Sequence, residues 1–185
     1  MKALLFLLGG FAVLGSGRAA EQTLAVDKAH SRVEVVVKAT VDSFVAKLSD
    51  YDVSVTVDPD QGRVCGATFA FRFADLFTGK ADRDREMLSW EDAAHFPTGT
   101  FTLSALEPAP TGGYTARGLL RLHGVEKAVE FPVAVATDHR LYSIDGGLTL
   151  DTRDFGLEVI RKLLVLKVDP AVQVRFHLQG VVANP

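Results

Sequence analysis

Apolar and polar residues alternate strictly along most of the chain. "SRVEVVVKA" (31–39) sets Val33, Val35 and Val37 on one face and Arg32, Glu34 and Lys38 on the other. "YDVSVTVD" (51–58) repeats the rule with Val53, Val55 and Val57 against Asp52, Ser54 and Thr56, and "ATFAFRF" (67–73) with Phe69, Phe71 and Phe73. The same period recurs at 100–103, 114–122, 129–135, 141–150 and 171–180. In the last run Val172, Val174, Phe176 and Leu178 oppose Gln173, Arg175, His177 and Gln179. Successive side chains of a strand point to opposite faces, so this pattern predicts strands with one buried and one wet face, the signature of antiparallel sheet. Turn formers separate the runs: "DPDQG" (58–62), "PAPTGG" (108–113) and "HGVEK" (123–127). About eight such strands make an all-β, mainly antiparallel barrel or sandwich, and period alone does not separate the two.

One segment departs from period two. "DREMLSWEDAAHF" (84–96) places Met87, Leu88, Trp90 and Ala94 at roughly helical spacing before Pro97, which predicts one short helix capping an end of the sheet.

The inward phase is rich in aromatic rings: Phe69, Phe71, Phe73, Phe101, Phe131 and Phe176. Val35, Val37, Leu120, Leu122, Val133, Ile144 and Leu148 share that phase. In a barrel these residues line an apolar lumen; in a sandwich they fill a core. Gly118 and Gly146 also fall inward, where a glycine lets a strand bend or leaves space for a ligand.

Composition narrows the setting. Lys2, the apolar run 3–14 and the small residues ending at Ala19 and Ala20 read as a secretory signal peptide, too short in its apolar part to span a bilayer. Residues 1–19 are therefore expected to be removed, leaving a single domain over 20–185 in the periplasm or outside the cell. Loss of Lys2 and Arg18 moves the formal net charge from −3 to −5, which does not favour nucleic acid as a partner. Cys65 is the single cysteine, so no internal disulfide forms, and it reads as a small packed residue.

Catalytic and metal signatures are missing from the sequence: no GxSxG, HExxH or CxxCH, and no glycine-rich phosphate loop. His30, His95, His123, His139 and His177 are scattered without ligand spacing, so neither metal nor cofactor is expected. His123 continues the phase of Arg117, Leu119 and Arg121 and precedes Gly124, which places it at a hairpin on the outer face or rim.

Several fragments, in this order and spacing, resemble the YceI-like family of exported polyisoprenoid-binding proteins. They are "VDKAHSRVEVVVK" (Asp27, His30, Ser31, Val33, Val37), "TGKADRDREMLS" (Thr78, Gly79, Arg83, Asp84, Ser89), "HFPTGTF" (Phe96, Pro97, Phe101), "GLLRLHGVEKAVEFPV" and "DFGL" (154–157). The resemblance implies a lipocalin-like eight-stranded β-barrel with a helix near one end, holding an isoprenoid chain in its lumen. The chain departs from the family pattern at four polar or small positions. Glu86 stands for a histidine, Ala39 for a second histidine, Ala46 for a glycine and Thr152 for an arginine. Arg153 lies one place later, and a one-residue shift along a strand turns a side chain to the other face.

The reading that follows is an exported container for a polyisoprenoid lipid or quinone tail, with transient membrane contact and no enzymatic activity. Its rival is a redox accessory or enzyme acting on a quinone-like molecule through rim polar residues His30, Arg83, Asp84, Glu86 and His123. A barrel with a filled core, serving only as an interaction module, is the third alternative. "LEVIRKLLVLKVD" (157–169) is read either as the start of the final strands or as a flap at the mouth touching a bilayer.

Overall fold

The computed structural model describes residues 21–40, 42–162 and 166–182; residues 1–19, where a signal peptide is expected, lie outside them. The strands are β1 (Gln22–Val26), β2 (Arg32–Val37), β3 (Phe44–Leu48), β4 (Asp52–Asp58), β5 (Arg63–Arg72), β6 (Leu76–Phe77), β7 (Thr98–Pro108), β8 (Tyr114–Leu122), β9 (Val125–Asp138), β10 (Leu141–Asp151), β11 (Arg161–Lys162), β12 (Leu166–Lys167) and β13 (Ala171–Val182). All pair antiparallel, and β1 with β13 closes the main sheet into a barrel of eight staves. That settles the choice between barrel and sandwich.

Three staves are broken, which hid parts of them from the alternation. β1 and β2 run along the same edge of β13, Leu24 opposite Val182 and Val33 opposite Phe176. Between them Asp27 builds a bend: its Oδ1 accepts from the Ala29 amide at 2.9 Å, and its Oδ2 meets His30 Nδ1 at 2.6 Å. β3 and β4 form the next stave, kinked at Ser49–Asp50, where Asp50 accepts from Lys28 Nζ at 2.7 Å and from the Tyr51 amide at 2.9 Å. β5 and β6 form the third, kinked where Arg72 grips Asp75 through two hydrogen bonds. Polar clamps in neighbouring staves thus hold adjacent bends together, and the short alternations in "QTLAV" and "FVAKL" are strand after all.

The helix α1 is Ala81–Trp90, three residues earlier at its start and six earlier at its end than the pattern predicts. Pro97 does not stop it. Asp92 adopts φ 52°, with its amide bonded to the Ser89 carbonyl and the Ala93 amide to the Leu88 carbonyl, a Schellman closure without the usual glycine. At its start Asp84 accepts from both the amide and the hydroxyl of Thr78, fixing the loop that feeds α1.

The final strand begins at Ala171, so 157–169 is not its start. Described parts of that stretch form a two-stranded ribbon of their own, Arg161 opposite Lys167, tied to the barrel by the Ala39–Val168 bridge. Leu163, Leu164 and Val165 lie outside the described residues.

Candidate functional site

The two ends of the barrel differ. At one end Leu24, Val57, Tyr142 and Val182 are buried, and Arg140, in the β9–β10 turn, donates to the Val182 carbonyl. At the other end α1, Ala39, Asp42 and Phe44, and residues 157–161 and 168–170 border the mouth. Between them lies a cavity of about 830 Å³ with a mostly apolar lining, inside the range of small-molecule sites.

Val35, Val37, Phe69, Phe71, Phe73, Phe101, Leu120, Leu122, Phe131, Val133, Ile144, Leu148 and Phe176 all border this cavity. The inward glycines leave space indirectly, by making room for aromatic rings against the wall. A Cβ on Gly118 would overlap the Phe101 ring, one on Gly146 the Phe176 ring, and one on Gly99 the Phe71 ring. Each phenyl ring lies down over a glycine of a neighbouring strand, as aromatic side chains do when they cover glycine in a sheet. Rings held against the wall occupy less of the centre. Phe101, Phe131 and Phe176 continue as a chain of ring contacts with centroids 5.5 and 6.0 Å apart.

The polar candidates do not converge. His30 is exposed and belongs to the Asp27 bend, away from the cavity lining. Asp84 is committed to Thr78. His123 sits at φ 46° before Gly124 at φ 72°, so both residues of the tight hairpin turn are left-handed. Its Nδ1 lies 3.1 Å from the Phe155 carbonyl oxygen and its ring meets Phe96 edge-on, which fastens the 152–156 turn to the hairpin. Arg83 and Glu86 do border the cavity. Arg83 stacks 3.7 Å from the Phe44 ring centroid, donates to the Thr78 carbonyl and reaches Asp42 at 3.2 Å. Among the described residues no cluster of three or more His, Cys, Asp or Glu side chains has the arrangement of a metal site.

Ala39, Ala46, Glu86 and Thr152, the positions where the chain departs from the family pattern, all line the cavity. Arg153 does not: it forks onto Asp151, Nε to Oδ1 at 2.9 Å, and holds that carboxyl down at about 2. The one-place shift removes it from the lumen.

Sequence reasoning missed Glu91. It follows the last helical residue, only 1% of its surface is exposed, it borders the cavity, and its Oε1 has no hydrogen-bond partner. Burial alone pushes its carboxyl up to about 7. A buried polar atom without a partner forfeits about 1–3 kcal/mol. In the sequence Glu91 looks like any surface carboxylate of a short helix. Trp90, on the apolar face of the expected helix, also borders the cavity and donates its indole N–H to the Glu158 carbonyl at 2.7 Å.

A family model for the YceI-like domain matches residues 24–180. The chain belongs to the YceI-like family. No curated relative matches the sequence. Among solved structures, Burkholderia cenocepacia BcnA is 25% identical with a TM-score of 0.73, covering 84% of this chain and 99% of its own. A polyisoprenoid binding domain from Saccharophagus degradans, implicated in plant cell wall breakdown, has 18% identity and a TM-score of 0.64 over 89% of this chain and 100% of its own. The Campylobacter jejuni YceI protein gives 15% and 0.65 over 78% and 88%. At the last two identities the likeness speaks for the fold alone.

Proposed function

We propose that this YceI-like protein is a binding protein that sequesters or carries a long apolar chain, a polyisoprenoid lipid or a quinone tail, in its barrel. The observation that carries the proposal is the cavity of about 830 Å³, bordered by aromatic and branched aliphatic side chains and closed at the far end. Burying each methylene of a ligand contributes about 0.8 kcal/mol, so a long chain binds tightly without polar contacts. A fold neighbour described as a polyisoprenoid binding domain motivates the choice of this ligand class. The signal-like segment 1–19 supports export, which sequencing of the mature amino terminus after cell fractionation tests: cleavage after Ala19 is expected.

The experiment for the ligand is native mass spectrometry, with organic extraction, of protein purified from its own host. A co-purified long-chain lipid in near-stoichiometric amount is expected. Its absence, together with no uptake of added isoprenoids, defeats the reading. Val159 and Ile160 border the cavity on the segment leading into the ribbon, and Arg161 beside them is exposed. Apolar residues beside a cation suit a transient bilayer contact through which a lipid passes without crossing water. Ile160→Asp is then expected to slow uptake from vesicles by far more than it weakens affinity for detergent-solubilised lipid; equal effects on both defeat the membrane contact.

A further inference from the structure

Apolar burial explains nearly all of the lumen but not Glu91. The Schellman closure of α1 sets this carboxyl against the cavity, almost wholly withdrawn from water, with Oε1 unsatisfied. The neighbouring Trp90 is no partner, because its indole N–H is spent on the Glu158 carbonyl. Arg83 on the same helix lies eight residues away, about 12 Å along the axis, and is engaged by Asp42, Thr78 and Phe44. The remaining charged groups bordering the cavity are Glu86, Glu158 and Asp169 against Arg161, so carboxylates outnumber guanidinium groups there.

We propose that Glu91 selects the polar end of the ligand: the lumen prefers a long-chain lipid that ends in a hydrogen-bond donor, an alcohol or a protonated amine, over one that ends in phosphate. The proposal rests on the reading that the lumen holds an apolar chain. A donor supplies the hydrogen bond that Oε1 lacks, and a carboxyl group offers that acceptor whether or not it is protonated. A protonated amine adds charge pairing in a low-dielectric site. A phosphate offers chiefly acceptors and brings negative charge beside a buried acid, where like charges repel strongly.

Trp90 is the single tryptophan of the chain and borders the cavity, so its fluorescence reports occupancy directly. The test titrates the protein at pH 7.5 with isoprenoid chains of one length ending in hydrocarbon, alcohol, primary amine or phosphate. Wild type is expected to bind the alcohol and the amine roughly tenfold more tightly than the phosphate, the scale of one charge-assisted hydrogen bond. Glu91→Gln keeps an acceptor but not the charge, so the amine is expected to lose its advantage over the alcohol. Glu91→Leu is expected to abolish the preference for both donors, read as the ratio to the hydrocarbon within each variant so that a general loss of lumen quality cancels. Equal or tighter phosphate binding by wild type, or ratios that Glu91→Leu leaves in place, overturns the proposal. If phosphate binding is then lost in Arg83→Met, the mouth cation reads the head instead. If no chain binds, hydrocarbon included, the container reading falls and the selection falls with it.

Discussion

The closed end and the open half of the barrel are built by the same alternation yet are packed in opposite ways. At the closed end the inward residues are mostly aliphatic and packed with Tyr142 in one core, and Val57 and Tyr142 retain 0% and 1% of their exposure. In the open half the inward residues are larger, yet space remains. Gly99, Gly118 and Gly146 let the rings of Phe71, Phe101 and Phe176 lie along the wall. Side-chain size is therefore a poor guide to filling: where a ring has a glycine to lie on, a wall of phenylalanines encloses a cavity.

Truncation should separate the two ends most sharply. Tyr142→Ala opens a hole in a filled region and should cost about 3–5 kcal/mol in urea denaturation, the range for large buried aromatics. Phe176→Ala borders space that already exists and should cost only about 1.5–3 kcal/mol, near the transfer contribution alone. Equal losses would show that the open half is packed as tightly as the closed one.

The second contrast is in pH. Glu91 sits high, at about 7, while Asp27, Asp42 and Asp50 are held low by their His or Lys partners. A carboxyl whose folded value is raised keeps its proton while the unfolded chain sheds it. The folded state therefore binds more protons between pH 4.5 and 7, and stability falls as pH rises through that window. The shift corresponds to a loss of about 3 kcal/mol, complete above pH 7. The difference between wild type and Glu91→Gln isolates this contribution, since His95 and the exposed aspartates are common to both. A flat difference curve would mean that the carboxyl is hydrated.

Gly146→Ala tests the ring arrangement. The added methyl overlaps the Phe176 ring, which must lift into the lumen. Ligand capacity should fall, with a stability loss of about 1–3 kcal/mol from overpacking. Phe71→Trp should behave similarly, reducing capacity more than stability. The smallest expected effect is at the rim. His123→Asn keeps a residue that tolerates the left-handed region but releases the Phe155 carbonyl, costing about 0.5–1.5 kcal/mol with lipid affinity within a few-fold.

Much of the wall was legible because burial on one face forces a period of two, and a sheet cannot shift register by one residue without turning every apolar side chain outward. β8 appears in the sequence with its observed bounds, while β1 and β3 were passed over because Asp27–Ser31 and Ser49–Asp50 interrupt them. The helix was placed too far along because an aspartate, not a glycine or Pro97, ends it. Glu91 carried no signal at all, since a carboxylate reads as solvated until the surroundings are known.

Local chemistry in the chain thus determined the long unbroken strands, their inward faces, the hairpin at His123–Gly124 and the family. These depend on neighbours in sequence: pleat, turn geometry and motif order. Closure through the β1–β13 pairing, the rings lying on Gly99, Gly118 and Gly146, and the withdrawal of Glu91 from water were decided only in the folded barrel. Each depends on residues brought together from distant strands, and free space or an unsatisfied oxygen exists only relative to such neighbours.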